Sequence, residues 1–380
     1  DTYIANNPNN DLVPMICVNY DEEALDIVEQ YIDLFNYSFR SKSIEKEDKY
    51  QNTLSASTVI LPIDLNPIAR NYLHISTPLS VIGAKRKDKL ERQVANQLID
   101  VIFKPQYNLF DYHCDSYENW ECLDCKSISK DILNVNGISV VNYIINGLHL
   151  GYYCDIWLDV FYIPGKVGYN KEHFSHGLLV YGYDSNRSIF HTLSYNANGL
   201  YHNIDVAMTN FQKACSNEFL SKICLLKYKP GINAKYSKET ICKKLSNYIN
   251  SYHYDVETSF NKNTSEQYVQ YDACLKFCEY IESILHNDCT IHNTAMYSYT
   301  EHKRIMAWRI QYLMEREHLV SEELMNMSTN ISSLSEQLLN LSLKYNITKN
   351  KKCHSRIIDM INTLNHLEKN LIETFLSLQL

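Results

Sequence analysis

The feature that most constrains this chain is a regular stripe of apolar side chains near its C-terminal end. In residues 357–378, apolar residues recur at spacings of three and four, which is the period of one helix face. The stripe consists of Ile358, Ile361, Leu364, Leu367, Leu371 and Phe375. Other segments after residue 235 share this period, so the sequence predicts a helical domain of about five helices over residues 236–380.

The preceding part of the chain mixes helical and strand patterns. Helical spacing occurs in residues 21–35, 89–103 and 139–150, whereas short apolar runs typical of strands occupy residues 57–65 and 152–164. Residues 178–194 consist of two apolar runs around a Gly-Tyr-Asp-Ser-Asn-Arg turn, which predicts a hairpin. The order helix, strand, hairpin indicates an α+β domain over residues 1–235.

Composition narrows the classes of function. The formal net charge of -8 gives no general basic surface for nucleic acid. No run reaches the roughly 18–20 consecutive apolar residues that a transmembrane helix needs, so we expect no membrane span. The 12 cysteines are irregularly spaced over 380 residues, which favours reduced thiols and the cytoplasm over a disulfide framework.

Three residues form a candidate catalytic set of the papain-like type. His176 heads the first strand of the hairpin, where a general base stands in such a site. Cys17 lies just before the helix predicted at residue 21, and free N–H groups at a helix N-terminus help to hold a thiolate. Asn196 follows the second strand, where it could orient the imidazole. Packing for Cys17 and turn formation for Asn196 remain the alternative interpretations.

Two other patterns suggest chemistry less strongly. His113, Cys114, Cys122 and Cys125 include a Cys-x2-Cys pair, which raises the alternative of a zinc site. However, His113 and Cys114 are adjacent and no second Cys-x2-Cys follows. Lys166 stands in the turn Pro-Gly-Lys, which by itself is no phosphate-binding loop and is interpreted as an ordinary loop.

A family resemblance rests on the same region. The stretch DIWLDVFYIPGKVGYNKEHFSHGLLVYGYD, followed by FHTLSYNANGLY, resembles the core of the butirosin-biosynthesis acyltransferase family, of the protein H N-terminal-domain type. Its features are an acidic strand, a Tyr-x-Pro turn, a Lys-x-His-x-x-His segment and a Gly-Tyr-Asp hairpin. The resemblance covers residues 136–205, and EHKRIMAWRIQYL is similar to the helical tail of such proteins.

The resemblance implies a papain-like α+β domain with an appended helical domain. It also implies an enzyme that moves an acyl or aminoacyl group from a carrier-protein thioester, through Cys17, to a small-molecule amine. The donor is then a phosphopantetheine arm, and no bound cofactor or metal is expected. His176 corresponds to the family histidine, whereas Ser194 occupies a position where many papain-like proteins have Asp or Asn. A papain-like peptidase or amidase and a non-catalytic binding or scaffold protein therefore remain alternatives.

Overall fold

A computed structural model describes residues 58–114, 117–216, 218–232, 236–251 and 267–378. The predicted helix at residues 21–35 and the predicted nucleophile Cys17 lie outside these residues. Thr58–Leu380 forms one compact unit. Its mixture of antiparallel sheets and a helical C-terminal region agrees with the predicted α+β class.

The larger sheet has seven strands and is antiparallel throughout. Its strands are β1 (Val59–Ile60), β4 (Leu123–Ser129), β5 (Tyr153–Asp159), β6 (Ser175–Asp184), β7 (Ile189–Tyr195), β8 (Tyr201–Ala207) and β9 (Lys222–Tyr228). Their order in the sheet is β4-β9-β5-β6-β7-β8, and β1 also pairs with β6. The predicted hairpin is confirmed as β6 and β7, and the predicted strands at 57–65 and 152–164 contain β1 and β5.

The central strands are apolar on both faces because both faces of the sheet are covered. Cys154, Val180 and Leu225 pack into one hydrophobic cluster, whereas Leu179 and Leu226 pack into a second and larger one. Alternate residues of a strand point to opposite faces, so two buried faces require nearly continuous apolar sequence. This explains why LLVY in β6 shows no polar alternation.

Helices surround the sheet and dominate after residue 235. They are α1 (Leu73–Gly83), α2 (Lys87–Asn96), α3 (Lys130–Val135), α4 (Val140–His149), α5 (Met208–Cys215), α6 (Lys238–Ile249), α7 (Gln270–His286), α8 (Asn293–Arg316), α9 (Glu322–Thr348) and α10 (His354–Ser377). Serine side chains cap several N-termini; for example, Ser321 Oγ accepts a hydrogen bond from Leu324 N at 3.3 Å. The predicted apolar stripe lies in α10. No helix among the described residues is long and apolar enough to cross a membrane.

One predicted helix is wrong in its second half. The pattern predicted a helix over residues 89–103, but α2 ends at Asn96, and β2 (Val101–Lys104) follows. The buried guanidinium of Arg309 donates hydrogen bonds to the carbonyl oxygens of Ala95 and Leu98, at 3.0 and 2.8 Å. A cation at the last carbonyls stabilises the helix end, so the helix stops where a distant residue meets it.

A second, three-stranded sheet joins distant parts of the chain. Its order is β10-β2-β3, where β3 is Leu109–Tyr112 and β10 is Tyr268–Val269. The larger hydrophobic cluster likewise includes residues on both sides of residue 235. The predicted boundary between domains 1–235 and 236–380 therefore marks a change in element type, and a division of the chain into two domains at this point stays a prediction.

Candidate functional site

A cavity of about 1430 Å³ lies over the larger sheet. Strands β4, β5, β6 and β9, the turn after β7, the start of α1 and helices α8 and α9 contribute to its lining. His176 and Asn196, which the sequence singles out, both line it, and so does Lys166. A concave site with a few polar groups is where a ligand or substrate is ordinarily bound.

His176 is the second residue of β6, and its ring is held in one orientation. Its Nδ1 lies 2.9 Å from the carbonyl oxygen of Gly177. A carbonyl only accepts, so we assign the proton of the neutral ring to Nδ1, which leaves the lone pair of Nε2 available. The rings of Trp157 and Tyr195 flank the imidazole, with centroids 6.1 and 6.4 Å away. With the ring proton on Nδ1, the Nε2 lone pair of His176 is the one that a general base would use.

Lys166 is a candidate functional residue that the sequence pattern did not reveal. Gly165, with φ +81, turns the chain so that Lys166 runs beneath β6, where only 5% of its surface is exposed. Its Nζ donates a hydrogen bond to Ser194 Oγ and lies 3.2 Å from Nδ1 of His176. The carbonyl oxygen of Gly177 is 3.4 Å from the same Nζ. Lys166, His176 and Ser194 therefore form one cluster, called the lysine–histidine cluster below.

Burial decides the charge of this cluster. It lowers the pKa of Lys166 to about 7, because a cation loses its hydration inside the protein. Burial is also the main reason that the pKa of His176 is lowered, followed by the charge of Lys166. The imidazole is therefore neutral at neutral pH, and Lys166 is poised between its two charge states.

Ser194 completes the cluster from β7. It is fully buried, and its Oγ donates a hydrogen bond to Gly177 O at 2.8 Å while it accepts from Lys166. The Ser194 hydroxyl thus uses both its donor and its acceptor capacity within the protein. The position that the family resemblance associates with a carboxylate or carboxamide holds a neutral hydroxyl bonded to an amine.

Asn196 holds the turn between β7 and β8. Its Oδ1 accepts hydrogen bonds from the backbone N–H groups of Asn198 and Leu200, at 2.9 and 3.0 Å. These contacts fit the turn-forming interpretation. The sequence predicted that Asn196 orients the ring of His176. In the structure Gly177 O and Lys166 Nζ lie beside Nδ1 of that ring, so these two groups can orient it instead.

The first histidine of HFSH has a different environment from the second. His173 Nδ1 lies 2.7 Å from Oδ2 of the fully buried Asp159, and its ring stacks on Phe161 at 4.0 Å between centroids. Asp159 Oδ1 also accepts a hydrogen bond from Phe161 N at 3.1 Å. His173 therefore ties the end of β5 to the segment that leads into β6, which helps to place His176.

A second polar group lines the cavity on β4, β5 and β9. Tyr117 OH donates a hydrogen bond to Oδ2 of Asp155 at 3.0 Å. Burial raises the pKa of Asp155 to about 6, against a smaller lowering by this hydrogen bond. Cys125 and Cys224 line the same part, with their Sγ atoms 2.9 Å apart.

One group of described residues has the ligand types of a metal site. Among the described residues, only Cys274, His302 and Glu368 bring three ligand atoms within 4.8 Å of one another. The zinc alternative built on His113, Cys114, Cys122 and Cys125 is therefore not assembled. The three side chains of the first group lie among α7, α8 and α10, away from the cavity lining. Lys303 Nζ already lies 2.6 Å from Glu368 Oε2. A divalent ion would add positive charge to a buried carboxylate that is already neutralised, so the group is a buried ion pair.

Comparison with known proteins adds no relative. No protein-family model and no curated protein matches this sequence.

Proposed function

We propose that this chain is a cysteine-dependent acyl- or aminoacyltransferase with a papain-like α+β domain. It would accept an acyl group from the phosphopantetheine thioester of a carrier protein and pass it to a small-molecule amine, forming an amide. The observation that carries the proposal is the neutral, oriented imidazole of His176 in the wall of a large cavity. Cys17, the nucleophile that the sequence predicts, lies outside the described residues.

The proposed steps use the free lone pair of His176 twice. Nε2 takes the thiol proton as the cysteine sulfur attacks the thioester carbonyl, and the carrier thiol leaves with a proton. The acceptor amine then attacks the acyl-cysteine, His176 takes the amine proton, and the cysteine thiol is restored. A thioester is a suitable donor because a thiolate exchanges with it readily. A reducing compartment such as the cytoplasm, which the cysteine spacing favours, would suit this chemistry.

Lys166 should set the pH range in which acylation at the proposed site is fast. An imidazolium next to a charged amine is unfavourable, so proton transfer to His176 is easier after Lys166 has lost its proton. With the pKa of Lys166 at about 7, we expect the rate of acylation to rise as the pH passes from 6 to 8.

Mass spectrometry of the intact protein tests this function. Parent protein and the variants Cys17→Ala and His176→Asn are each incubated with a panel of acyl-pantetheine thioesters. We expect a hydroxylamine-labile adduct on the parent, none on Cys17→Ala, and formation slowed by about 100-fold or more in His176→Asn. An adduct that persists in Cys17→Ala would show that another cysteine is the nucleophile, and no adduct on any protein would exclude acyl transfer from these donors.

A non-catalytic binding protein is the second candidate. One observation favours it: the buried neighbour of His176 is an amine, whereas a carboxylate would have stabilised the imidazolium. This candidate predicts that an acyl-carrier protein binds equally to parent and to His176→Asn, without formation of an adduct. Release of a peptide fragment or ammonia without a thioester donor would instead indicate the peptidase or amidase alternative.

A further inference from the structure

The thiols of Cys125 and Cys224 approach one another unusually closely. Their Sγ atoms are 2.9 Å apart, whereas non-bonded heavy atoms ordinarily stay about 3.5–4.0 Å apart. The bond length of a disulfide is about 2.05 Å, so a shift of under about 1 Å brings the two sulfurs to bonding distance.

The sheet itself produces this approach. Cys125 on β4 pairs with Leu226 on β9, and Ser127 pairs with Cys224, so the cysteines are diagonal neighbours on one face. Side chains on the same face of paired strands lie close enough to interact. The contact is therefore set by the register of β4 against β9. A local movement of one side chain does not change that register.

Cys125 is the thiol of the pair that a small reagent can reach from the cavity. Cys125 and Cys224 line the cavity, and Cys125 is the more exposed of the two. Cys154, by contrast, belongs to the hydrophobic cluster on the opposite face of the sheet and is fully buried. The hydrogen bond that Cys224 shares with Cys125 and burial together raise the pKa of Cys224, so Cys125 is the thiol that meets an oxidant first.

We infer that Cys125 and Cys224 are a modification site, a dithiol in the cavity wall that forms a reversible disulfide with a low-molecular-weight disulfide as oxidant. The Cys125 thiolate attacks the oxidant, forms a mixed disulfide and releases one small thiol. Cys224 then attacks the sulfur of Cys125, the Cys125–Cys224 bond forms, and a second small thiol leaves. The two protein thiols are oxidised, the oxidant is reduced, and their two protons end on the two released thiols. The inference does not depend on acyl transfer.

The disulfide would join the edge strand β4 to β9 and close a loop between residues 99 positions apart. Closing a loop of this length restricts the unfolded chain, so we expect oxidation to raise the unfolding temperature by about 5 °C. It would also replace two thiol groups in the cavity wall by one disulfide next to Asp155, which pairs directly with Cys224 across β5 and β9. The redox state would therefore change the surface that a ligand in the cavity meets.

Thiol mapping of the full chain tests the inference. The reduced protein is incubated with oxidised glutathione, the remaining thiols are alkylated, and peptides are identified by mass spectrometry. We expect a peptide pair linked through Cys125 and Cys224 that dithiothreitol separates. The exposed Cys289 is the matched control, because it can take up glutathione but has no such partner thiol in the inference.

Two serine variants separate the steps. Cys224→Ser should accumulate glutathione on Cys125, because the second thiol is missing, whereas Cys125→Ser should form no link at position 224. Recovery of both cysteines in alkylated form from the parent, under conditions that modify Cys289, would overturn the inference. Stable glutathione adducts on Cys125 in the parent, without the cross-link, would overturn it as well.

Discussion

Two buried lysines in this protein have opposite electrostatic environments. Lys303, between α8 and α10, is fully buried, and its Nζ lies 2.6 Å from the carboxylate of Glu368. Burial alone would lower the pKa of Lys303, but its interactions with Cys274 and Glu368 raise it instead. Lys166 contacts a hydroxyl, an imidazole and a carbonyl oxygen, and burial lowers its pKa to about 7.

The difference shows how one residue type serves two purposes. A buried ammonium with a carboxylate stays charged and holds helices together, whereas one with neutral partners can lose its proton near neutral pH. Perturbed pKa values of the second kind, in a cavity, are characteristic of functional sites. Lys303 is therefore a structural charge of the helical region, whereas Lys166 is a charge of the lysine–histidine cluster that titrates near neutral pH.

Removal of the carboxylate partner should have the largest effect. Glu368→Gln leaves Lys303 buried without a counter-charge, so we expect the free energy of unfolding to fall by about 3–5 kcal/mol in urea denaturation. Glu279→Gln is the matched control, since Glu279 pairs with Lys276 on the exposed side of α7. That change should cost under about 1 kcal/mol. Equal effects of the two substitutions would contradict the comparison.

Lys166, the lysine of the cavity, should make the free energy of unfolding depend on pH. Between its lowered pKa of about 7 and the ordinary value of about 10.4, the unfolded chain holds a proton that folded Lys166 has lost. Stability then rises with pH across this window. From pH 7.5 to 9.5, the free energy of unfolding of the parent should rise by about 2 kcal/mol relative to Lys166→Met.

The Lys166→Met reference cancels the contributions of other titrating groups, which are shared by both proteins. A difference between the two proteins that stays constant from pH 7.5 to 9.5 would show that Lys166 keeps its proton.

A carboxylate placed beside Lys166 should make it resemble Lys303. In Ser194→Asp the new charge favours the ammonium, so we expect the pKa of Lys166 to rise by about 1–3 units. The pH dependence of stability described above would shrink accordingly, by about 1–2 kcal/mol. Ser355→Asp, on the exposed start of α10, serves as the control and should leave that dependence unchanged.

The smallest expected effect concerns Asn196. Its side chain holds the turn between β7 and β8, so Asn196→Ala should lower the free energy of unfolding by about 1 kcal/mol. If Gly177 and Lys166 orient His176, the rate of adduct formation should change by less than about threefold. A loss of 100-fold would restore Asn196 as the residue that orients the imidazole.

Local patterns predicted most of the fold, and contacts between distant residues account for the rest. The hairpin of β6 and β7 and the stripe on α10 follow from periodicity within one segment. The end of α2 does not, because Arg309 terminates it from more than two hundred residues away. The pairing of β10 with β2 is equally non-local.

The residues of the candidate site were likewise only partly predictable from local sequence patterns. His176 was predicted because it heads a recognisable strand, and it lines the cavity. Lys166 was interpreted as loop because a Pro-Gly-Lys turn has no chemistry of its own; its role arises only where the turn after β5, β6 and β7 converge. Two sequence features could have pointed to Lys166: its position between an acidic strand and a strand that begins with a histidine, and the serine at position 194.

Titration of the lysine side chains by NMR tests the central claim most directly. Protein labelled with 15N at the lysine Nζ would report Lys166 and Lys303 in the same spectra, with Lys166→Met to assign the first. The account predicts that Lys166 titrates with a midpoint near pH 7 while Lys303 remains protonated through pH 10. If Lys166 also stays protonated through pH 10, the lysine–histidine cluster is a structural charge like Lys303, and the proposed pH range of the site is wrong.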